Sequence, residues 1–123
     1  MLANLTMRSI QVLTWFCVVL LAVLSLLPAQ DMVRTGLPGR VEHIVAYAGS
    51  AAIAMAGYGA RRGAAQIVVG FWVYAGILEY LQHFSPGRHP AIVDFMASAL
   101  GALCGGLVTA LIRRHLGPLR QAE

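Results

Sequence analysis

Glu79-Tyr-Leu-Gln-His-Phe-Ser-Pro-Gly-Arg-His-Pro-Ala-Ile-Val-Asp94 ends one long apolar run, turns through Pro86-Gly87 and opens another. It holds two carboxylates, two histidines, a glutamine and an arginine, in a chain of 123 residues that is 59% hydrophobic and 11% charged. Soluble domains carry about 25% charged residues. With a mean hydropathy of +0.71, the chain therefore reads as a small integral membrane protein, and this stretch as the turn joining two of its helices. An ionisable side chain at mid-helix in a bilayer costs roughly 2.5–3.5 kcal/mol, so residues of this kind are functional candidates by default.

Before this turn lie three apolar runs and after it a fourth. The first, Ile10–Leu27, has Gln11 as its only strongly polar side chain. At 1.5 Å per residue its length is about 27 Å, enough to span. The run is too long for the apolar region of a signal peptide and closes on Leu27-Pro28-Ala29-Gln30 rather than on a small-residue cleavage site, which predicts a retained helix. Pro28–Arg40 reads as a loop. The second run, Val41–Tyr58, is led by Glu42 and His43 and carries Ala48, Ala52 and Ala56 at four-residue steps. The third is Ala64–Phe84, and the fourth is Pro90–Ile112, with Pro90 suited to the first helical position. Residues 113–123 read as a short basic tail, fraying after Gly117-Pro118.

Helices over about 10–27, 41–58, 64–84 and 90–112 with short links predict a single all-α domain over 1–123, a membrane-spanning antiparallel four-helix bundle. Two stripes of small residues mark the fourth helix: Ala97, Gly101 and Gly105, and beside them Ser98, Ala102 and Gly106. Small residues at four-residue spacing let backbones approach, which matters where lipid supplies no hydrophobic drive for helices to associate. Cys17 and Cys104 fall mid-run without ligand spacing and read as buried small side chains.

All nine basic residues are arginines. They sit mostly at the ends of the apolar runs and form no patch, which argues against a nucleic-acid partner. Six (Arg8, Arg61, Arg62, Arg113, Arg114 and Arg120) fall on the side of the two termini, and three (Arg34, Arg40 and Arg88) on the other. The positive-inside rule then predicts both termini in the cytoplasm, with the membrane crossed several times. This orientation gathers Asp31, Glu42, Glu79, Asp94, His43, His83 and His89 at or beneath the outer face.

Glu79 sits about five residues before its helix end, so roughly 7–8 Å beneath it. A carboxylate there must be paired, protonated or open to water. Gln82 and His83 share its face. Asp94 lies near the start of the next helix, where the helix dipole favours an anion. Arg88, whose fork can hold two carboxylates or one carboxylate and an incoming anion, is the expected partner of both acids. His43 and Tyr47, four apart, project into the same region. His43, Tyr47, Glu79, Gln82, Arg88, Asp94 and Ser98 make up the expected binding pocket; Glu79, Asp94 and His43 are the candidate catalytic groups. Metal binding is disfavoured because no two histidines sit at HxxxH or HxH spacing and an arginine occupies the centre. No phosphate loop, lysine or nucleophile elbow is present, and no cofactor is expected.

The pattern resembles the VanZ-like family of small bacterial membrane proteins, named for a member linked to teicoplanin resistance. One block is Arg40-Val-Glu-His-Ile-Val-Ala-Tyr47, meeting the family's His and Tyr; the other is Glu79, Gln82, Pro86, Arg88, Asp94 and Gly101. Gly39, Arg40 and Ser98 depart from the family's Asp, Lys and Asn. The resemblance covers the second to fourth helices. It implies a cell-envelope role, with an outward-facing polar pocket that binds a lipid-linked head group or an amphiphilic glycopeptide, and so glycopeptide resistance. Membrane lipids are the partners expected on any reading. An enzyme acting on a lipid head group is the second reading, a proton-linked transporter through Glu79 a third, and an ion-pair cluster that only pins the helix ends together a fourth.

Overall fold

A computed structural model describes residues 2–120; residue 1 and residues 121–123, which end the expected basic tail, lie outside the described residues. Four helices follow one another: α1 (Leu2–Leu26), α2 (Gly39–Tyr58), α3 (Ala64–Leu81) and α4 (Ile92–Arg120). Every described element is helical, with short 3-10 turns at Ala29–Asp31 and Gln82–Phe84. Three helical segments, Thr6–Leu26, Ala64–Phe84 and Ile92–Gly117, are long and apolar enough to cross a membrane. α2 is not among them. Its 20 residues reach about 30 Å, but Arg40, Glu42, His43 and several glycines dilute its hydropathy.

The bounds of α1 and α4 differ most from those read in the sequence. α1 begins at Leu2 instead of Ile10, because no proline or glycine interrupts the stretch before the apolar run. α4 starts at Ile92, leaving Pro90 outside it, and continues through the expected tail to Arg120. Its first turn hangs from the Ala91 carbonyl, which accepts from Asp94 N at 3.0 Å and Phe95 N at 3.2 Å.

Consecutive helices run antiparallel, yet the tightest seam joins α2 to α4, which run parallel. A Cβ added to Gly101 would overlap the Ile44 carbonyl oxygen and lie 2.9 Å from Ile44 Cα. One added to Gly105 would overlap the Ala48 oxygen and lie 2.7 Å from the Ala48 carbonyl carbon. The register thus advances in step, 44 to 48 against 101 to 105. Ala97 is buried on the same stripe, and Ala102 and Ser98 are buried on the next. Gly106, also on that stripe, lets Val68 of α3 approach. The first stripe therefore meets α2, and the second meets α3 at Gly106 and α2 at Ser98.

α1 meets α2 near the end that carries the termini. There Gln11 Nε2 donates to Gly57 O at 3.2 Å, and Trp15 Nε1 donates to Tyr58 Oη at 2.8 Å. α1 also runs beside α3, where Tyr74 Oη donates to the Val18 carbonyl. The helices thus form a ring in the order α1, α2, α4, α3. Its interior holds Leu21, Tyr47, Ala51, Phe71, Ala75 and Leu78, with Tyr47 and Phe71 edge to face at 6.3 Å. Leucines, valines and both tryptophans cover much of the outside, the arrangement expected of a chain solvated by hydrocarbon. Cys17 is half-buried and Cys104 exposed; Cys104 lies with Leu100, Leu103, Leu107 and Leu111 on the face of α4 turned from its neighbours, which corrects the expectation that both are buried.

Candidate functional site

The end of the bundle opposite the termini brings together the C-terminal ends of α1 and α3, the N-terminal ends of α2 and α4, and two connections. Several hydrogen bonds clamp these pieces. Gln82, buried where α3 tightens into its 3-10 turn, donates Nε2 to Ser25 Oγ at 3.5 Å. Ser85 Oγ donates to Leu26 O at 2.9 Å, and Ala29 N donates to Pro86 O at 3.0 Å. Gly87 turns the chain with φ at +73°, a left-handed conformation that suits glycine. A Cβ there would come within 2.9 Å of Ala29 Cβ. The 85–88 turn is therefore fixed against α1, and Arg88 N closes it with a bond to Ser85 O at 3.2 Å.

From that fixed turn Arg88 reaches into a groove of about 320 Å³ between α1 and α2. His43 and Tyr47 line the groove too, together with Ser25, Thr35 and Glu42. Its remaining walls are apolar, among them Leu21, Leu24, Val33 and Val45. Arg88 Nη1 is buried and has no hydrogen-bond partner among the described residues. Leaving a buried polar group unsatisfied costs about 1–3 kcal/mol, and more when it is charged. A guanidinium in this condition has donor capacity that no described residue uses.

The other expected site residues take separate positions. His43 Nδ1 and Ser98 Oγ share a hydrogen bond of 3.1 Å, tying α2 to α4 just below the groove. Glu79 does not hold Arg88. Its Oε1 accepts from Ala91 N at 2.7 Å, and the residue lines a second cleft, of about 380 Å³, with Tyr80, His83 and Phe95. Ala91 is the N-cap position of α4, whose amide in many helices is satisfied by the acid three residues on. Here that acid is Asp94, which sits half-buried in the first turn of α4. Glu79 takes the amide from a neighbouring helix instead. His83 Nδ1–H is spent on Tyr80 O at 2.8 Å. Among the described residues no group of three or more His, Cys, Asp or Glu is gathered to hold a metal ion.

Of the expected pocket, then, His43, Tyr47 and Arg88 share one groove; Gln82 and Ser98 support it through Ser25 and His43; and Glu79 and Asp94 belong to the start of α4. Sequence reasoning missed Ser25, Thr35 and Glu42 as groove residues. Glu42 Oε1 accepts from Thr35 N at 2.8 Å and from Thr35 Oγ1 at 2.6 Å. A hydroxyl seven residues before a helix-leading acid was the available signal. Family models, curated proteins and solved structures yield no match to this chain.

Proposed function

We propose that the chain is a VanZ-like protein of the bacterial cytoplasmic membrane, crossing it four times with both termini inside, whose outward groove binds the anionic head group of a cell-envelope amphiphile. The observation that carries this reading is Arg88, with a buried, unpartnered guanidinium nitrogen in a groove whose other walls are largely hydrocarbon. The parallel backbone contact of α2 with α4 from 44 to 48 supports a fourth crossing by α2 although its own hydropathy is low. The arginine distribution supports this orientation, with the groove at the outer leaflet. A phosphate or carboxylate of a lipid-linked precursor, or of an amphiphilic glycopeptide, would accept from Arg88, with His43 and Tyr47 offering further hydrogen bonds. The apolar walls would receive the hydrocarbon part.

The test compares wild type with Arg88→Ala for lipids retained through purification and for glycopeptide susceptibility of cells. The variant is expected to lose retained anionic or phosphate-bearing lipid and to alter susceptibility. A folded Arg88→Ala protein that matches wild type in both would overturn the reading.

A further inference from the structure

We infer that the amphiphile is a zwitterionic lipid, its head group joining a phosphate to a primary ammonium, with Arg88 taking the phosphate and Glu42 the ammonium. This rests on the head-group reading above and names the chemistry of that same groove.

The starting observation is a pair of opposite charges that line one groove without neutralising each other. Thr35 engages Oε1 of Glu42 through both its amide and its hydroxyl. That fixes the carboxylate while leaving its second oxygen without a hydrogen bond among the described residues; Arg34 and His43 are its charged neighbours. Arg88 keeps a buried Nη1 without a partner. The scaffold holds the two apart, so that neither is the other's partner. Glu42 is tied to the α1–α2 link, and Arg88 stands on a turn bonded to α1 and to Ala29.

A ligand with one negative charge would satisfy Arg88 and make no use of the Glu42 carboxylate on the same groove. A head group carrying both charges a few bonds apart satisfies the two together. The walls point to a lipid rather than a free solute. Leu24 and Val45, 41% and 60% exposed, continue the groove away from its polar end along α1 and α2, the direction a hydrocarbon chain would take. Glu42 is thus the residue that sets specificity, and Arg88 the one that sets affinity.

The test uses full-length protein in detergent, equilibrated with equimolar phosphatidylethanolamine and phosphatidylglycerol, with bound lipid read by native mass spectrometry. Wild type is expected to hold phosphatidylethanolamine over phosphatidylglycerol by about tenfold, the worth of one charge-assisted hydrogen bond. Glu42→Gln, whose amide oxygen still accepts from Thr35, should bring that ratio near unity with total lipid unchanged. Arg88→Ala should strip both lipids; Arg88→Gln, closer in size, replaces it if the alanine variant does not fold. If wild type holds the two lipids equally while the Arg88 variant strips both, the zwitterion assignment fails and the head-group reading stands. If wild type and the Arg88 variant retain lipid equally, both fail together.

Discussion

α2 meets its two neighbours under opposite rules. Toward α4 it offers Ile44 and Ala48 to the glycines 101 and 105, and the backbones touch. Toward α1 it is close only at the end bearing Gly57, where an added Cβ would stand 3.2 Å from Ile10 Cγ2. At the other end the α1-facing residues of α2 are Glu42, His43 and Tyr47, and there a groove opens. Side-chain size along one helix thus sets both a sealed seam and an open slot. In lipid, where close contact is the main source of association, the seam holds the bundle, and the slot leaves α1 and α2 apart at their polar end.

The sharpest way to break this comparison is to put bulk into the seam. Gly105→Leu places a branched side chain against the Ala48 backbone, which cannot rotate away as a side-chain tip can. Overpacking costs typically about 1–3 kcal/mol, and a backbone obstacle puts this variant at or above the top of that range. Gly101→Leu, against Ile44, should behave alike. Gly49→Leu is the control, since a Cβ at Gly49 meets nothing within 4 Å. Thermal unfolding in detergent should drop steeply for the first two and little for the third. Equal tolerance of all three would show that α2 and α4 are not in backbone contact.

That seam was half legible in the sequence. The stripe of Ala97, Gly101 and Gly105 announced a close approach, but small residues do not name the helix they receive, and the parallel α2–α4 pairing follows only from the ring order. The gathering of polar groups at one end was legible because charges in an apolar chain are few and helix lengths fix their depth. Their partners were not. Glu79 and Arg88 read as a natural ion pair, yet Glu79 found the Ala91 amide, and a backbone donor leaves no mark in sequence. Thr35 and Ser25 were hidden for a similar reason. One lies in a link whose path periodicity does not fix, and the other is a single hydroxyl near the end of an apolar run.

The next effect in size tests Glu79 as a cap. Glu79→Ala removes the acceptor of the Ala91 amide at the start of α4, and loss of an N-terminal cap costs about 0.5–2 kcal/mol. Glu79→Gln keeps an oxygen in place and should stay within a few tenths of a kcal/mol of wild type, because the bond is made through one oxygen only. The two variants, compared by unfolding in detergent, separate a capping oxygen from a required charge. Equal losses in both would mean that the charge itself, acting on Arg88 or on a ligand, is what Glu79 contributes.

The smallest expected stability change, and the most informative, is at Arg88. An arginine that locks the turn through ion pairs would cost about 3–5 kcal/mol to remove, since a buried partner would be left uncompensated. The geometry here argues otherwise. The turn is closed by backbone and serine bonds, namely Ser85 to Leu26, Ala29 to Pro86 and Arg88 N to Ser85, none of which uses the guanidinium. Removing a buried nitrogen that has no partner also relieves a desolvation penalty. Arg88→Ala in delipidated protein is therefore expected to unfold within about 1 kcal/mol of wild type, less stable only through the lost packing of its methylene stem. Adding the retained lipid back should then raise the melting temperature of wild type and leave the variant unmoved, because a ligand stabilises only the folded state that binds it. A large loss of stability without lipid would place Arg88 among the bonds that hold the fold, and the head-group reading would lose the observation it rests on.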